Sequence, residues 1–391
     1  MEIATFASVV NAQWAGRDRM VSMEDPAVAL VAPLARKKTA LPRFGEDDGF
    51  GRELRRRVDA HFKEHELGER DAPAMFVKSA VVLGFTAAIY VLLVFFARTW
   101  WQAVPLSVLM GLAAAGIGFN IQHDGGHNAV SKHPWLNAAS AATLDLIGAS
   151  SYMWRWKHGL FHHQYVNLAG HDADIDLGIF GRLSPHHRHF AFHRWQHLYL
   201  WPLYGFLSLK WWIYDDVRDA LTGRLGVHRI PRPAKWELST FLAGKIVFLT
   251  LALGVPLLLH PVLPVLGLFV LTSLVLGVAL SVVFQLAHAV EEAAFPEVLP
   301  NGLLDAGWAA HQVRTTVDFC RTNPVVTWLV GGLNFQIEHH LFPRVSHVHY
   351  PAISRVVERT CHDYGMPYSE HPTFLAGMAS HYRWLKRMGH S

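Results

Sequence analysis

Apolar residues in this chain gather in long unbroken runs, not in alternating or stripe-like patterns. Residues 79–97, 103–121 and 262–287 carry no charged side chain, and 241–259 contains a single one, Lys245. At about 1.5 Å per residue, roughly 20 apolar residues cross the hydrocarbon of a bilayer, so each run predicts a membrane-spanning helix. A soluble core helix of that length would keep a polar stripe. Lys245 lies near the start of its run, from which its ammonium can reach the interface.

The links between the runs matter as much as the runs. Residues 98–102, with Trp100 and Trp101, join the first pair, and little more than His260 and Pro261 joins the second. Each pair is therefore a helical hairpin, and the segments before, between and after the hairpins share one side of the membrane. That side carries nearly all the Lys and Arg, among them Arg155, Lys157, Arg182, Arg188 and Arg194, which predicts that it is cytoplasmic. Two weaker apolar stretches, 135–152 and 195–213, predict interfacial helices; the second is rich in Trp and Tyr and includes Lys210. Residues 52–66 form a charged amphipathic segment, read equally as a helix on the membrane surface or as a solvated one. The expected architecture is an all-α integral-membrane protein: an extension over 1–73, one membrane domain over 74–368 and a cytoplasmic tail over 369–391.

Composition agrees. Half the chain is hydrophobic (51%) and only 17% is charged, against nearer a quarter in soluble domains. Two cysteines, Cys320 and Cys361, are too few for a disulfide framework or an iron–sulfur cluster and read as inert thiols. The formal charge is +4 without a run of Lys and Arg interleaved with aromatics, so nucleic acid is not an expected partner. Histidine stands out at 26 residues, an excess for which metal binding is the obvious chemistry.

The histidines cluster where the predicted spans end. His123-Asp-Gly-Gly-His127 closes the second span, with both imidazoles on one helical face. His158-Gly-Leu-Phe-His162-His163 follows, with His158 and His162 on one face and His163 turned about 100° away. Gln336-Ile-Glu-His339-His340 holds another adjacent pair, and His288, preceded by Gln285, leaves the fourth span on the same side. These eight imidazoles match what two metal ions with four or five ligands each would need, and they predict a cap that holds a di-metal site. HExxH and Glu-x-x-His metal motifs, a P-loop, GxGxxG and GxSxG are all absent.

The three clusters, His123–His127, His158–Asn167 and Asn334–Pro343, resemble the three histidine boxes of membrane fatty acid desaturases. Gln336, in place of the first histidine of the third box, is similar to the front-end desaturases and their bacterial acyl-lipid or acyl-CoA relatives. Flanking segments, His171-Asp-Ala-Asp174-Ile-Asp176 and Trp308-Ala-Ala-His311-Gln-Val-Arg-Thr-Thr316, resemble that group too, over about residues 50–368. The resemblance implies two iron ions, O2 as co-substrate, and a cis double bond placed in an acyl chain carried by CoA or a lipid. The cytochrome b5 motif His-Pro-Gly-Gly, fused to many eukaryotic relatives, is missing, so a separate donor is expected: ferredoxin, or cytochrome b5 with its reductase. A bacterial cytoplasmic membrane is the expected location.

Around the eight expected ligands, Gln336 and Gln285 are candidates for weak or water-mediated contact. Asp124, Asp174, Asp176, Glu338 and His311 are candidates for holding imidazole N–H groups. His186, His187, His189 and His193 match no box and read as a solvated segment. Two other readings remain open on the residues alone. A lipid, alkane or carotenoid hydroxylase or ketolase would use the same oxidant. A histidine-rich metal transporter would place its ligands at mid-membrane depth instead.

Overall fold

The computed structural model describes residues 41–391; the expected extension before residue 41 lies outside them. In chain order the main helices are α1 (Phe50–Glu64), α2 (Pro73–Phe96), α3 (Trp100–Gly126), α4 (Pro134–Leu146), α5 (Ser151–Trp156), α6 (Gln196–Tyr204), α7 (Trp236–Leu259), α8 (Val262–His288), α9 (Trp308–Thr315), α10 (Gln336–Leu341), α11 (Tyr350–Asp363) and α12 (Phe374–His390). Strand structure among the described residues is limited to two-residue pairs, Arg224–Leu225 with His228–Arg229 and Asp318–Phe319 with Glu370–His371.

Among the described residues, helices α2, α3, α7 and α8 are the four long and apolar enough to cross a membrane. Each begins or ends a few residues beyond its apolar run, because helical hydrogen bonding continues where polar side chains enter the interface. Only 17% of the apolar window of α2 and 11% of that of α7 is buried by protein. Side chains such as Phe85, Ile246, Leu258 and Leu263 face outward, an apolar surface that lipid rather than water must solvate. The two hairpin tips meet at one end. The His260 ring contacts the Val94 carbonyl at 2.6 Å, and the Tyr90 hydroxyl donates to the Leu251 carbonyl at 2.9 Å. Helices α3 and α8 pack closely enough that a Cβ on Gly111 would stand 2.7 Å from the Thr272 carbonyl oxygen, the small-residue contact typical of membrane helices.

The opposite ends of all four spans carry the cap. There α1 docks Phe50, Leu54, Val58 and Phe62 against Ile353 and Val357 of α11. The i, i+4 spacing puts these four on one stripe, and burial contributes about 1.5–3 kcal/mol for each before entropy is counted. This helix therefore packs its apolar stripe on protein and leaves Arg52, Arg56 and Asp59 exposed on its other face. The second half of the 195–213 stretch departs from expectation, whereas α6 packs on α12. That second half does not lie across the span ends: Gly205 meets the backbone of α8 at Gly277, Ser208 donates to the Ser273 carbonyl, and Trp212 packs on Phe248 of α7 and Phe269 of α8. Ser273 is about 22 Å along α8 from His288, so this segment sinks between the spans. The segment expected to be solvated, residues 186–193, is largely so, with His186, Arg188, His189 and Phe192 exposed, and His193 is the exception. His193 is fully buried, and His189 contacts the Gly389 carbonyl of α12.

Candidate metal centre

The two span ends expected to share a face do so, and their histidines meet. Before His123, α3 widens into a π turn over Gly118–Gln122, in which the His123 N–H donates to the Gly118 carbonyl. Such one-turn widenings re-aim side chains at functional sites. The glycines after His123 have a steric reason. A Cβ on Gly125 would stand 2.5 Å from the Ala141 backbone nitrogen, and one on Gly126 would stand 2.1 Å from the Trp154 ring. Without them α4 and Trp154 could not close on this helix. Trp154 then walls the site, its ring centroid 5.6, 5.0 and 4.8 Å from those of His123, His127 and His158.

A second π turn, Lys157–His162, carries the middle box, and here the His163 N–H donates to the His158 carbonyl. With five residues closing the turn, positions i+4 and i+5 straddle residue i. His162 and His163 thus both remain on the side of His158, where an α-helix would have sent His163 away. The third box sits on α10, whose first turn is tied down by the Asp318 carboxylate accepting from the Ile337 N–H at 2.9 Å. His288 is the last residue of α8, its ring 4.7 Å from that of His162 and 5.0 Å from that of His340.

The eight imidazoles fall into overlapping groups whose nitrogens lie within 4.8 Å of one another: His123, His127, His158 and His339; His162, His288 and His340; and His163, His339 and His340. The Nε2 atoms of His123 and His158 are 3.2 Å apart, and those of His163 and His339 are 3.0 Å apart. Two cis nitrogens bound at about 2.1 Å to one ion stand roughly 3 Å apart. Three further nitrogens, Nε2 of His127, His162 and His340, are buried with no hydrogen-bond partner among the described residues, an arrangement costly without a cation to receive the lone pairs. The donor set thus fits a metal site.

The second nitrogen of several rings has a partner that fixes the tautomer. His158 Nδ1 faces Asp174 at 3.1 Å, His162 Nδ1 faces Asp172 at 3.0 Å, His340 Nδ1 faces the Gln312 side-chain oxygen at 3.1 Å, and His339 Nδ1 faces the Tyr350 hydroxyl at 3.2 Å. Of these partners the sequence reading named Asp174 alone. Asp172 and Gln312 lie inside the flanking segments that carried the resemblance, so that was the available signal; Tyr350 had none. Other expected partners bond elsewhere. Asp124 accepts from Ser346 and contacts His347, whose Nε2 meets Lys78 at 2.9 Å. Asp176 accepts from the Gly178 N–H, and His311 packs edge-on to Phe44. Glu338 shares the Tyr368 hydroxyl with Asp318, and burial next to Asp318 pushes its carboxyl well above the usual range. The Glu338 hydrogen bond thus runs to Tyr368 and not to an imidazole. Gln336 and Gln285 line a cavity beside His123 and His158, each with its side-chain oxygen buried and unpartnered among the described residues.

Electrostatics favour the neutral form at three of these ligands and oppose it at His162. Burial, reinforced by neighbouring imidazoles, holds His163, His339 and His340 well below the usual histidine pKa. At His162 burial acts in the same direction, but Asp172 and Asp174 outweigh it and raise the pKa. The Asp172→Asn variant is accordingly expected to loosen the orientation of His162 and to weaken metal retention about 10- to 100-fold in chelator competition, with unchanged helix content by circular dichroism.

Comparison with known proteins bears on this geometry. The fatty acid desaturase family matches residues 99–372, which include all three boxes. The chain is 37% identical over 353 residues to an sn-1 linoleoyl-lipid 6-desaturase of Arthrospira platensis, covering 90% of this chain and 95% of the relative. It is 36% identical to a protein of the same description from Synechocystis, covering 89% and 97%. It is also 37% identical to an acyl-lipid (8-3)-desaturase of Physcomitrium patens, covering 88% and 72%. A membrane-embedded helical fold, a buried histidine metal site and these relatives agree: the chain belongs to the fatty acid desaturase family and is a fatty-acyl desaturase.

Proposed function

We propose that this desaturase acts on acyl chains esterified to membrane lipids, placing a cis double bond with O2 and two electrons at a pair of iron ions. The observation that carries the reading is the convergence of eight imidazoles, from four separate parts of the chain, at one end of four apolar spans. His123, His127, His158 and His339 would hold one ion; His162, His288 and His340 the other, with His163 between them. Imidazole suits iron, and an oxygen-activating iron pair would supply the oxidant that takes two hydrogens from adjacent methylenes. The balance is one CH2–CH2, one O2, two electrons and two protons giving CH=CH and two waters. Similarity to relatives described as acyl-lipid desaturases supports the lipid-borne substrate.

The protein's own residues do the positioning. Asp174 and Asp172 keep the outer N–H of His158 and His162 engaged and leave the inner lone pairs free. Trp154, Leu144, Met153 and Phe284 wall a cavity of about 380 Å³ that reaches His123 and His158. Most of its surface is apolar, with Lys157, Asp174, Lys210, Asp215 and Asp219 also on its lining, and an acyl chain filling the apolar part would exclude water that quenches a strong oxidant. Gln336 and Gln285 also line this cavity, and their buried side-chain oxygens would serve as weak ligands or holders of a water. Electrons would arrive from a separate donor, ferredoxin or cytochrome b5 with its reductase. The cap would face the cytoplasm of a bacterial cell, since the hairpin tips carry Arg98 as their one Lys or Arg while the cap side is rich in both.

Three measurements test the reading. Lipids from cells with and without the protein should differ by loss of two hydrogens in an acyl chain; a gain of oxygen would establish a hydroxylase instead. Purified protein should hold about two irons per chain, and one zinc or none would overturn the iron assignment. Acid should release the metal. The depressed His163, His339 and His340 bind fewer protons than their unfolded forms, so metal content and stability are full above the ordinary histidine value of 6.5 and fall as the pH drops below it. Metal per chain after dialysis along a pH series checks this.

A further inference from the structure

The cavity beside the imidazoles is not the largest apolar space in the molecule. A second one, of about 700 Å³, lies among the four spans on the side of the hairpin tips. The two adjoin, and one residue, Ile147, lines both. Its surroundings form a wall. On α3, Ile117 faces the large cavity and Gly118 the small one; on α8, Leu276 faces the large and Leu280 the small. A Cβ on Gly118 would stand 3.4 Å from a Leu280 methyl and 3.8 Å from the Ile147 Cδ1, so Ile147 closes the gap left by the absent side chain.

The wall is built to stay in place. Ile147 caps the end of α4, and the next residue, Gly148, has φ +103° with its Cβ position 2.9 Å from the Phe248 ring. A side chain there would be strained and obstructed, so the turn that presents Ile147 is pinned against α7. Gly118 lies five residues before His123 on α3, about 7 Å along the helix. An acyl chain reacting beside His123 and His158 therefore meets Ile147 a short way past the reacting carbons, and a longer methyl-terminal stretch has to pass it.

We propose that Ile147 sets how long a methyl-terminal stretch of acyl chain the enzyme accepts, and that the stretch beyond it occupies the larger cavity among the spans. The inference rests on the acyl-desaturase reading above. Two largely apolar cavities that meet at one side chain, Ile147, are the observation behind it. Ile147 forms none of the hydrogen bonds that hold the imidazoles, so its substitution is expected to act on substrate length and leave the metal site intact.

The test uses the full-length protein expressed in cells supplied with palmitoyl, linoleoyl and eicosadienoyl chains, with products of each length quantified from total lipid. The Ile147→Ala variant is expected to raise the ratio of eicosadienoyl to linoleoyl products about tenfold, the lower end of what a methylene is worth in an apolar pocket. The Ile147→Trp variant is expected to lower the ratio of linoleoyl to palmitoyl products by a similar factor. The Ile147→Val variant, a milder change that keeps the fold if either of the others fails to accumulate, should move the ratio in the direction of alanine. Unchanged ratios in the accumulating variants, with wild-type activity present, would overturn the proposal and leave the larger cavity to bilayer lipid. Absence of any desaturated product from the wild-type protein would instead count against the acyl-desaturase reading.

Discussion

Alanine in place of His162 is expected to bring desaturation to background and to leave about one metal per chain where the intact protein holds about two. His162 is fully buried, its outer nitrogen engaged by Asp172 and its inner nitrogen unpartnered among the described residues. Its ring lies against those of His288 and His340, so its removal leaves that group with two imidazoles. Neither can shift to replace it, since His288 ends α8 and His340 is fixed by Gln312. The four spans do not depend on it, so the variant should accumulate in the membrane fraction at near-normal yield. His186→Ala is the contrast: that ring lies away from the eight imidazoles and contacts the Phe295 carbonyl and Glu297, and activity should persist. Activity retained in His162→Ala would remove this residue from the metal centre. Metal analysis and lipid product analysis on the same preparations decide it.

The second large effect is steric. Gly331 has φ +63°, and a Cβ there would stand 2.1 Å from the Phe119 carbonyl oxygen. Phe119 belongs to the π turn that leads into His123, and Gly331 begins the loop that leads into α10. This contact sets the first box against the third, whose His123 and His339 rings are 4.4 Å apart. In Gly331→Ala, left-handed backbone strain of about 1–2 kcal/mol adds to overpacking of about 1–3 kcal/mol. We expect destabilisation of about 2–5 kcal/mol, a lower thermal midpoint and loss of metal. Gly178 separates the two causes: its φ is +61° but its Cβ position is open. Gly178→Ala should therefore show the conformational cost alone and keep its metal. Equal behaviour of the two variants, by thermal unfolding and metal content, would show that the Phe119 contact has no special weight.

Much of this protein was legible along the chain. The spans follow from apolar length alone, because hydrocarbon accepts only a helix with its backbone hydrogen bonds satisfied internally. The hairpins follow from links too short to do anything but reverse direction. Once both hairpins return to the same side, His127, His163, His288 and His340 have to emerge together, which makes the histidine cluster a consequence of topology as much as of motif. What could not be read is whatever depends on atoms meeting across sequence distance. The segment after α6 looked interfacial because its Trp and Tyr suit the belt, but Gly205 and Gly277 allow it to sink against α8, a contact no local pattern encodes. Glu338 sits beside two candidate ligands in sequence yet turns to Asp318 and Tyr368, because successive residues on a helix point in different directions.

The amino-acid order by itself determined where the chain crosses the membrane, on which side its histidines gather and how many imidazoles are there to share. Only the tertiary structure decided which imidazole stands opposite which, that Asp172, Gln312 and Tyr350 hold their outer nitrogens, and that Ile147 divides the apolar space beyond them. The reason is physical: crossing a bilayer is a property of one segment and its solvent, whereas a bond angle at a metal or the closure of a cavity is set by side chains that become neighbours only when distant segments pack.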